Sequence, residues 1–197
     1  MNIKQYSVAL ALLALAACGG KDEKAKVEEP PKQEALSKSK NSPAFNASFT
    51  PVVDNYFHLK DNFITESIPA IEIYAQKLQK NVAEIKFAEL KADPAIVETA
   101  KNINTNLAAE LKTLLAEKEL KGKLKSFNNV TDQIYNLIRT VQYDREVIYH
   151  QHCPMAFNEG DANAFWLSRT NEIRNPYLPK TMLTCGDVAD SLDYRSK

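Results

Sequence analysis

Soft side chains crowd into one stretch of this sequence. Both cysteines beyond Cys18, both methionines beyond Met1 and two of the three histidines fall between residues 150 and 185, as His150, His152, Cys153, Met155, Met182 and Cys185. A packed core needs none of these types in particular, so the crowding points to chemistry. Thiolate and thioether sulfur select Cu(I) and similar ions, while imidazole suits copper and zinc. Spacing sets conditions on such a site. Cys153 and Met155 point the same way only in an extended segment, and Met182 and Cys185 share a face only in a helical turn; four sulfurs can then converge. His150 and His152 stand on the opposite side of a strand from Cys153, so joining them to it requires the chain to turn at Pro154. The competing reading is a disulfide between Cys153 and Cys185 that staples a loop-rich segment, with Met155 and Met182 as apolar filler. Both readings stand on the residues alone. A cysteine nucleophile with His152 as its base is disfavoured, because adjacent residues rarely point together. No C-x-x-C-H run or zinc-finger spacing occurs, so the chain is not expected to be an enzyme or a haem or zinc-finger protein.

The elements that must position these residues are mostly helical. Thr50-Pro51 reads as an N-cap followed by proline at the first helical position, with Val52, Tyr56, Leu59 and Phe63 at spacings of four, three and four. Ser67 and Pro69 restart the register, and Ile71, Tyr74, Leu78 and Ile85 line a second helix to about Glu89. Asp93-Pro94 opens a third with the stripe Ile96, Ala100, Ile103, Leu107, Leu111 and Leu114. Gly122 is expected to mark a turn before a fourth helix that carries Leu124, Phe127, Ile134, Ile138 and Val141 to about Asp144. The expected fold is therefore mostly α: an antiparallel four-helix bundle over 45–146, then a small loop-rich segment with short strands over 147–197, packed on the bundle as one domain. Val147 to His150 reads as one such strand. No helix carries a Glu-x-x-His set, so a di-iron bundle is unsupported, and His58 reads as a boundary histidine beside the apolar stripe. Trp166 is large enough to cap a sulfur site, Asn175-Pro176 favours a turn back toward Cys153, and Arg169, Glu172 and Arg174 read as surface charges or local ion pairs.

Composition restricts the function further. The 197 residues carry 25 basic and 25 acidic side chains, so nucleic acid is not expected. Lys4 and the apolar run Val8 to Ala17 form a signal peptide over 1–17, too short to span a bilayer. Leu15-Ala16-Ala17-Cys18 resembles a bacterial lipobox, which implies cleavage before Cys18, its acylation (palmitate included) and membrane attachment through lipid alone. Gly19 resembles the pattern sorted to the outer membrane, and Lys21-Asp22-Glu23 resembles surface-export signals. The expected location is exported and lipid-anchored, periplasmic or at the outer membrane, which is an oxidising setting. Residues 18–44, rich in Lys, Glu, Pro and Ser and lacking aromatics, read as a disordered tether.

Four short segments carry a family resemblance. Cys153-Pro154-Met155-Ala156-Phe157, Phe165-Trp166-Leu167-Ser168, Ile173-Arg174-Asn175-Pro176-Tyr177 and Met182-Leu183-Thr184-Cys185-Gly186 resemble the signature of a bacterial family, domain of unknown function 3347, across roughly residues 50 to 192. In that family a helical region precedes these elements, and the domain occurs in exported proteins and beside heavy-metal efflux membrane-fusion proteins. The resemblance implies copper or silver handling, with Cu(I) or Ag(I) held by Cys153, Met155, Met182 and Cys185, and His152 as an addition. The chain departs from the family pattern at Pro179-Lys180-Thr181, where a glycine usually precedes the Met-Leu pair. A different class of function also stays open: a structural or adaptor lipoprotein whose bundle binds a protein partner and whose cysteines are bridged.

Overall fold

The computed structural model describes residues 41–157 and 163–195. All of these belong to one compact unit, Gln33–Lys197. The signal peptide, Cys18 and residues 18–40 of the tether lie outside the described residues. Four α-helices are present among the described residues, α1 (Pro43–Ile64), α2 (Ile68–Ala83), α3 (Pro94–Ala116) and α4 (Leu120–Val141), followed by the strands β1 (Ile148–Cys153), β2 (Ala164–Ser168) and β3 (Asp187–Leu192).

Helix α1 starts eight residues before the expected site. Its cap is Ser42, whose side chain accepts the Phe45 N–H at 3.0 Å, and Pro43 takes the first helical position. The tether therefore ends earlier than residue 44, and Pro51 lies inside the helix. An interior proline costs roughly 3 kcal/mol, because it lacks the N–H that would bond to the carbonyl of Ala47. Ala47 is exposed, so water can reach that carbonyl. Against this cost stand Phe45 and Phe49, both fully buried and stacked at 5.5 Å, each stabilising the helix by about 1.5–3 kcal/mol. The apolar stripe thus runs straight through the proline.

Helix α2 stops at Ala83, short of Glu89. The chain is drawn aside by bonds to neighbouring helices: the Lys86 N–H donates to the Ser48 hydroxyl at 3.1 Å, Ser42 donates to the Glu89 carbonyl at 2.8 Å, and Asn104 of α3 donates to the Val82 carbonyl at 3.1 Å. Helix α3 begins as expected, with the Asp93 carboxylate accepting the Ala95 N–H at 2.9 Å. Its stripe buries Ala100, Leu107, Leu111 and Leu114, but Ile96 is 41% exposed because the first turn projects past its neighbours. Gly122 lies within α4, and the connection from α3 is Glu117 to Glu119. At that position a Cβ would run into the Glu117 carboxylate, which folds back over the start of α4.

Successive helices pack side by side, while α1 and α4 meet through large side chains. Tyr56 stacks on Phe127 with ring centroids 5.6 Å apart, Phe63 lies 4.6 Å from Phe127, and the Tyr56 and Thr131 hydroxyls are hydrogen-bonded at 2.8 Å. Arg169 closes the adjoining corner, paired with Asp54 and Glu146 and stacked 4.4 Å over the Phe57 ring.

The sheet is antiparallel, in the order β2-β1-β3. Strand β1 continues past His150 to Cys153, three residues beyond the expected end. Sheet and bundle form one core, because the Leu167 N–H donates to the Tyr56 hydroxyl at 3.0 Å and the Phe165 N–H to the Asn128 side-chain carbonyl at 2.8 Å.

Candidate functional site

Cys153 ends the central strand β1, and Cys185 lies two residues before β3. Pairing His152 with Asp187 brings the start of β3 beside the end of β1. Gly186 allows the last step of that approach. It has φ +139°, and a Cβ there would strike the His152 carbonyl and lie 2.9 Å from Cη2 of Trp166. With that space empty, the two sulfurs lie 3.7 Å apart although their residues are 32 positions apart in the chain.

A buried asparagine holds the loop that carries Cys185. The Asn175 N–H donates to the Leu183 carbonyl at 2.7 Å and its side-chain amide to the Cys185 carbonyl at 3.1 Å. Its side-chain carbonyl accepts the N–H groups of Tyr177 and Leu178 at 2.8 and 3.3 Å. Asn175 therefore works as a clamp across the loop. Gln151 fixes the other half by donating to the carbonyls of Thr170 and Glu172 at 3.0 and 3.1 Å. Beneath the loop Trp166 is fully buried, and Tyr177 donates to the Phe165 carbonyl at 2.6 Å.

The sequence-predicted ligands separate into groups. Met182 and Cys185 sit on one turn, closed by the Cys185 N–H bonding to the Met182 carbonyl at 3.1 Å. Met155 does not share an extended segment with Cys153, because β1 ends at Cys153 and residues 154–157 form a turn. Met155 and Met182 are 48% and 40% exposed, whereas Cys153 is fully buried and Cys185 half-buried.

Both histidines stay on the opposite side of β1, since the chain turns only after Cys153. His150 is sandwiched between Tyr135 at 4.0 Å and Phe165 at 4.7 Å, and burial pushes its pKa down to about 4, outweighing the attraction of Asp190. It is thus neutral at pH 7, with a buried Nε2 that has no partner. His152 stacks on Phe165 at 5.5 Å, and its Nδ1 lies 2.6 Å from an Asp187 oxygen, off the line of a hydrogen bond. His58 is exposed and stacks on Tyr74, at the surface. Among the described residues no group of three or more His, Cys, Asp or Glu is arranged to hold a metal ion.

What remains together is a dithiol. A disulfide bond is about 2.05 Å long, so these sulfurs are in contact without being bonded. Two thiolates on one tetrahedral ion, each about 2.3 Å from it, would stand roughly 3.8 Å apart. The hydrogen bond to Cys153 and then burial raise the Cys185 pKa above that of a free thiol, so Cys185 rests protonated near neutral pH. Of the residues that build the site, Gly186 and Gln151 had no role assigned from the sequence. The one available signal was a glycine directly after a cysteine, where no turn needed it.

Neither a curated protein nor a solved structure matches the chain. A family model does match, over residues 52–146, from within α1 to just after α4. The match lies on the helices, whereas the sequence resemblance was carried by the C-terminal segments. That model is of the family described as Protein of unknown function (DUF3347), to which residues 52–146 are similar.

Proposed function

We propose that this protein binds one soft cation, Cu(I) or Ag(I), through Cys153 and Cys185. It would do so outside the cytoplasm, held by lipid on Cys18, either sequestering the ion or handing it to a heavy-metal efflux membrane-fusion protein. The observation that carries the reading is the 3.7 Å approach of two thiols from distant parts of the chain. Thiolates are the donors that Cu(I) prefers, and binding would displace their protons. Met155 and Met182 follow and precede the two cysteines on exposed turns, where flexible thioethers can swing toward a bound ion. His150 and His152 act in this reading as supports of the sheet. No residue is assigned a catalytic role.

The test is a Cu(I) competition titration against a chromogenic chelator, on the reduced full chain carrying Cys18→Ser. Cys153→Ser and Cys185→Ser should each abolish binding while helical circular dichroism is kept, and Met155→Leu with Met182→Leu should only weaken it. Unchanged affinity in either serine variant would remove the proposal.

The adaptor reading has its own support. Cys153 is fully buried in the core that also holds Trp166 and Tyr177, a setting suited to a structural bridge. Such a bridge would stabilise the fold by roughly 2–4 kcal/mol.

A further inference from the structure

The two sulfurs differ in access. Cys153 is fully buried at the end of a strand, paired with Ala164 of β2. Cys185 is half-buried in the loop outside the sheet, directly after the exposed Met182, Leu183 and Thr184. Bringing the sulfurs from 3.7 Å to the bonded distance of about 2.05 Å asks for a shift of under about 2 Å. The loop can supply it, because Asn175 holds Cys185 only through a backbone carbonyl.

We propose that Cys153 and Cys185 form a redox gate: a reversible disulfide closes the site, and an external dithiol reopens it by attacking Cys185. In the opening step a thiolate of the reductant attacks Sγ of Cys185 and the bond between the two cysteines breaks. Sγ of Cys153 leaves as a thiolate and takes up a proton. The second thiol of the reductant then attacks the mixed disulfide, releasing Cys185 as a thiol and leaving the reductant as a cyclic disulfide. Two electrons and two hydrogens pass to the protein; closing is the same exchange run backwards, with the oxidised, cyclic form of the dithiol taking up those electrons and hydrogens. Attack at Cys153 is blocked, because exchange needs access to the sulfur and that sulfur is buried. The claim that the closed form excludes metal rests on the proposed Cu(I) reading, since sulfur in a disulfide is no thiolate ligand; the redox step itself does not. On this view the bridged and the metal-binding protein are two states of one molecule.

The experiment equilibrates the full chain carrying Cys18→Ser in dithiothreitol buffers of graded oxidised-to-reduced ratio, followed by acid quench, alkylation and mass measurement. A reversible transition to a species two hydrogens lighter is expected, with Cu(I) uptake lost in that species. Two thiols that stay alkylatable under fully oxidising buffer would overturn the gate, even if the reduced chain binds Cu(I). A clean transition in a chain whose reduced form takes up no Cu(I) would instead overturn the metal reading and the claim of metal exclusion. Access is read with oxidised glutathione on folded variants: Cys185 should form the adduct in Cys153→Ser, and Cys153 should form none in Cys185→Ser until denaturant is added. Equal labelling of the two would contradict entry at Cys185.

Discussion

Gly186 and Asn175 decide whether the cysteines meet. In Gly186→Ala a methyl group meets the His152 carbonyl and Trp166 at a backbone angle that disfavours side chains. A loss of about 1–3 kcal/mol in a urea melt is expected, together with loss of the thiol contact. Asn175→Ala leaves the Cys185 carbonyl and two N–H groups without their partner and should destabilise by a similar amount, about 1–3 kcal/mol. In both variants Cu(I) binding should fall while the helical signal stays. If either variant bound Cu(I) as tightly as the parent, these residues would not be positioning the thiols. The cysteine pair was legible in the sequence, because an even pair in a short motif-rich stretch admits few roles. The histidines depended on where the chain turns. Strand alternation sets them opposite Cys153, as read from the sequence, and because β1 turns only after Cys153 they stay there, with His150 stacked on Tyr135 of α4.

At the scale of elements, the helices were legible wherever apolar spacing and a cap agreed, as at Asp93-Pro94. The start of α1 was not, because two Ser/Thr-Pro pairs occur eight residues apart and only burial of Phe45 and Phe49 selects the first. Strand β1 runs on past the expected His150 through Gln151, a polar residue that apolar periodicity does not place in a core. Gln151 is nonetheless buried, since Thr170 and Glu172 supply carbonyls for its side-chain N–H groups, which leaves only its Oε1 without a partner. Helix α4 carries a fully buried Lys123, whose ammonium lies 3.1 Å from Glu72 and 3.4 Å from the Leu114 carbonyl. Removing one member of an ion pair is costly when the other stays buried, but Glu72 is 45% exposed and can be solvated, so Lys123→Met should change stability by about 1 kcal/mol or less. A larger loss in a urea melt would mean that the ion pair itself holds α2 against α4.

His150 couples β1 to pH. Its folded pKa of about 4 lies below the ordinary value of 6.5, so the unfolded chain binds this proton more tightly. The contribution to stability is full above pH 6.5, falls as the pH drops toward 4 and is not lost further below that. After allowance for solvent screening it amounts to about 2 kcal/mol. Urea midpoints measured between those limits should fall for the parent and fall less for His150→Phe, which keeps a ring between Tyr135 and Phe165. Parallel slopes would assign the acid sensitivity to other groups.

For the whole molecule, a near-zero formal charge offers no field for steering a charged partner, and no helix among the described residues is long and apolar enough to cross a membrane. In the proposed account, lipid would supply location and the bundle would supply a rigid base that presents two thiols. The fold class was legible because it follows from apolar periodicity, which is local. The thiol contact depends on a sheet register and a glycine far from Cys153 in sequence, so it was open to two readings. The most direct test is the X-ray absorption spectrum of the reduced full chain, carrying Cys18→Ser and loaded with one equivalent of Cu(I). The account predicts a sulfur-only first shell that is lost in Cys185→Ser. Imidazole scattering, or a spectrum unchanged in that variant, would contradict it.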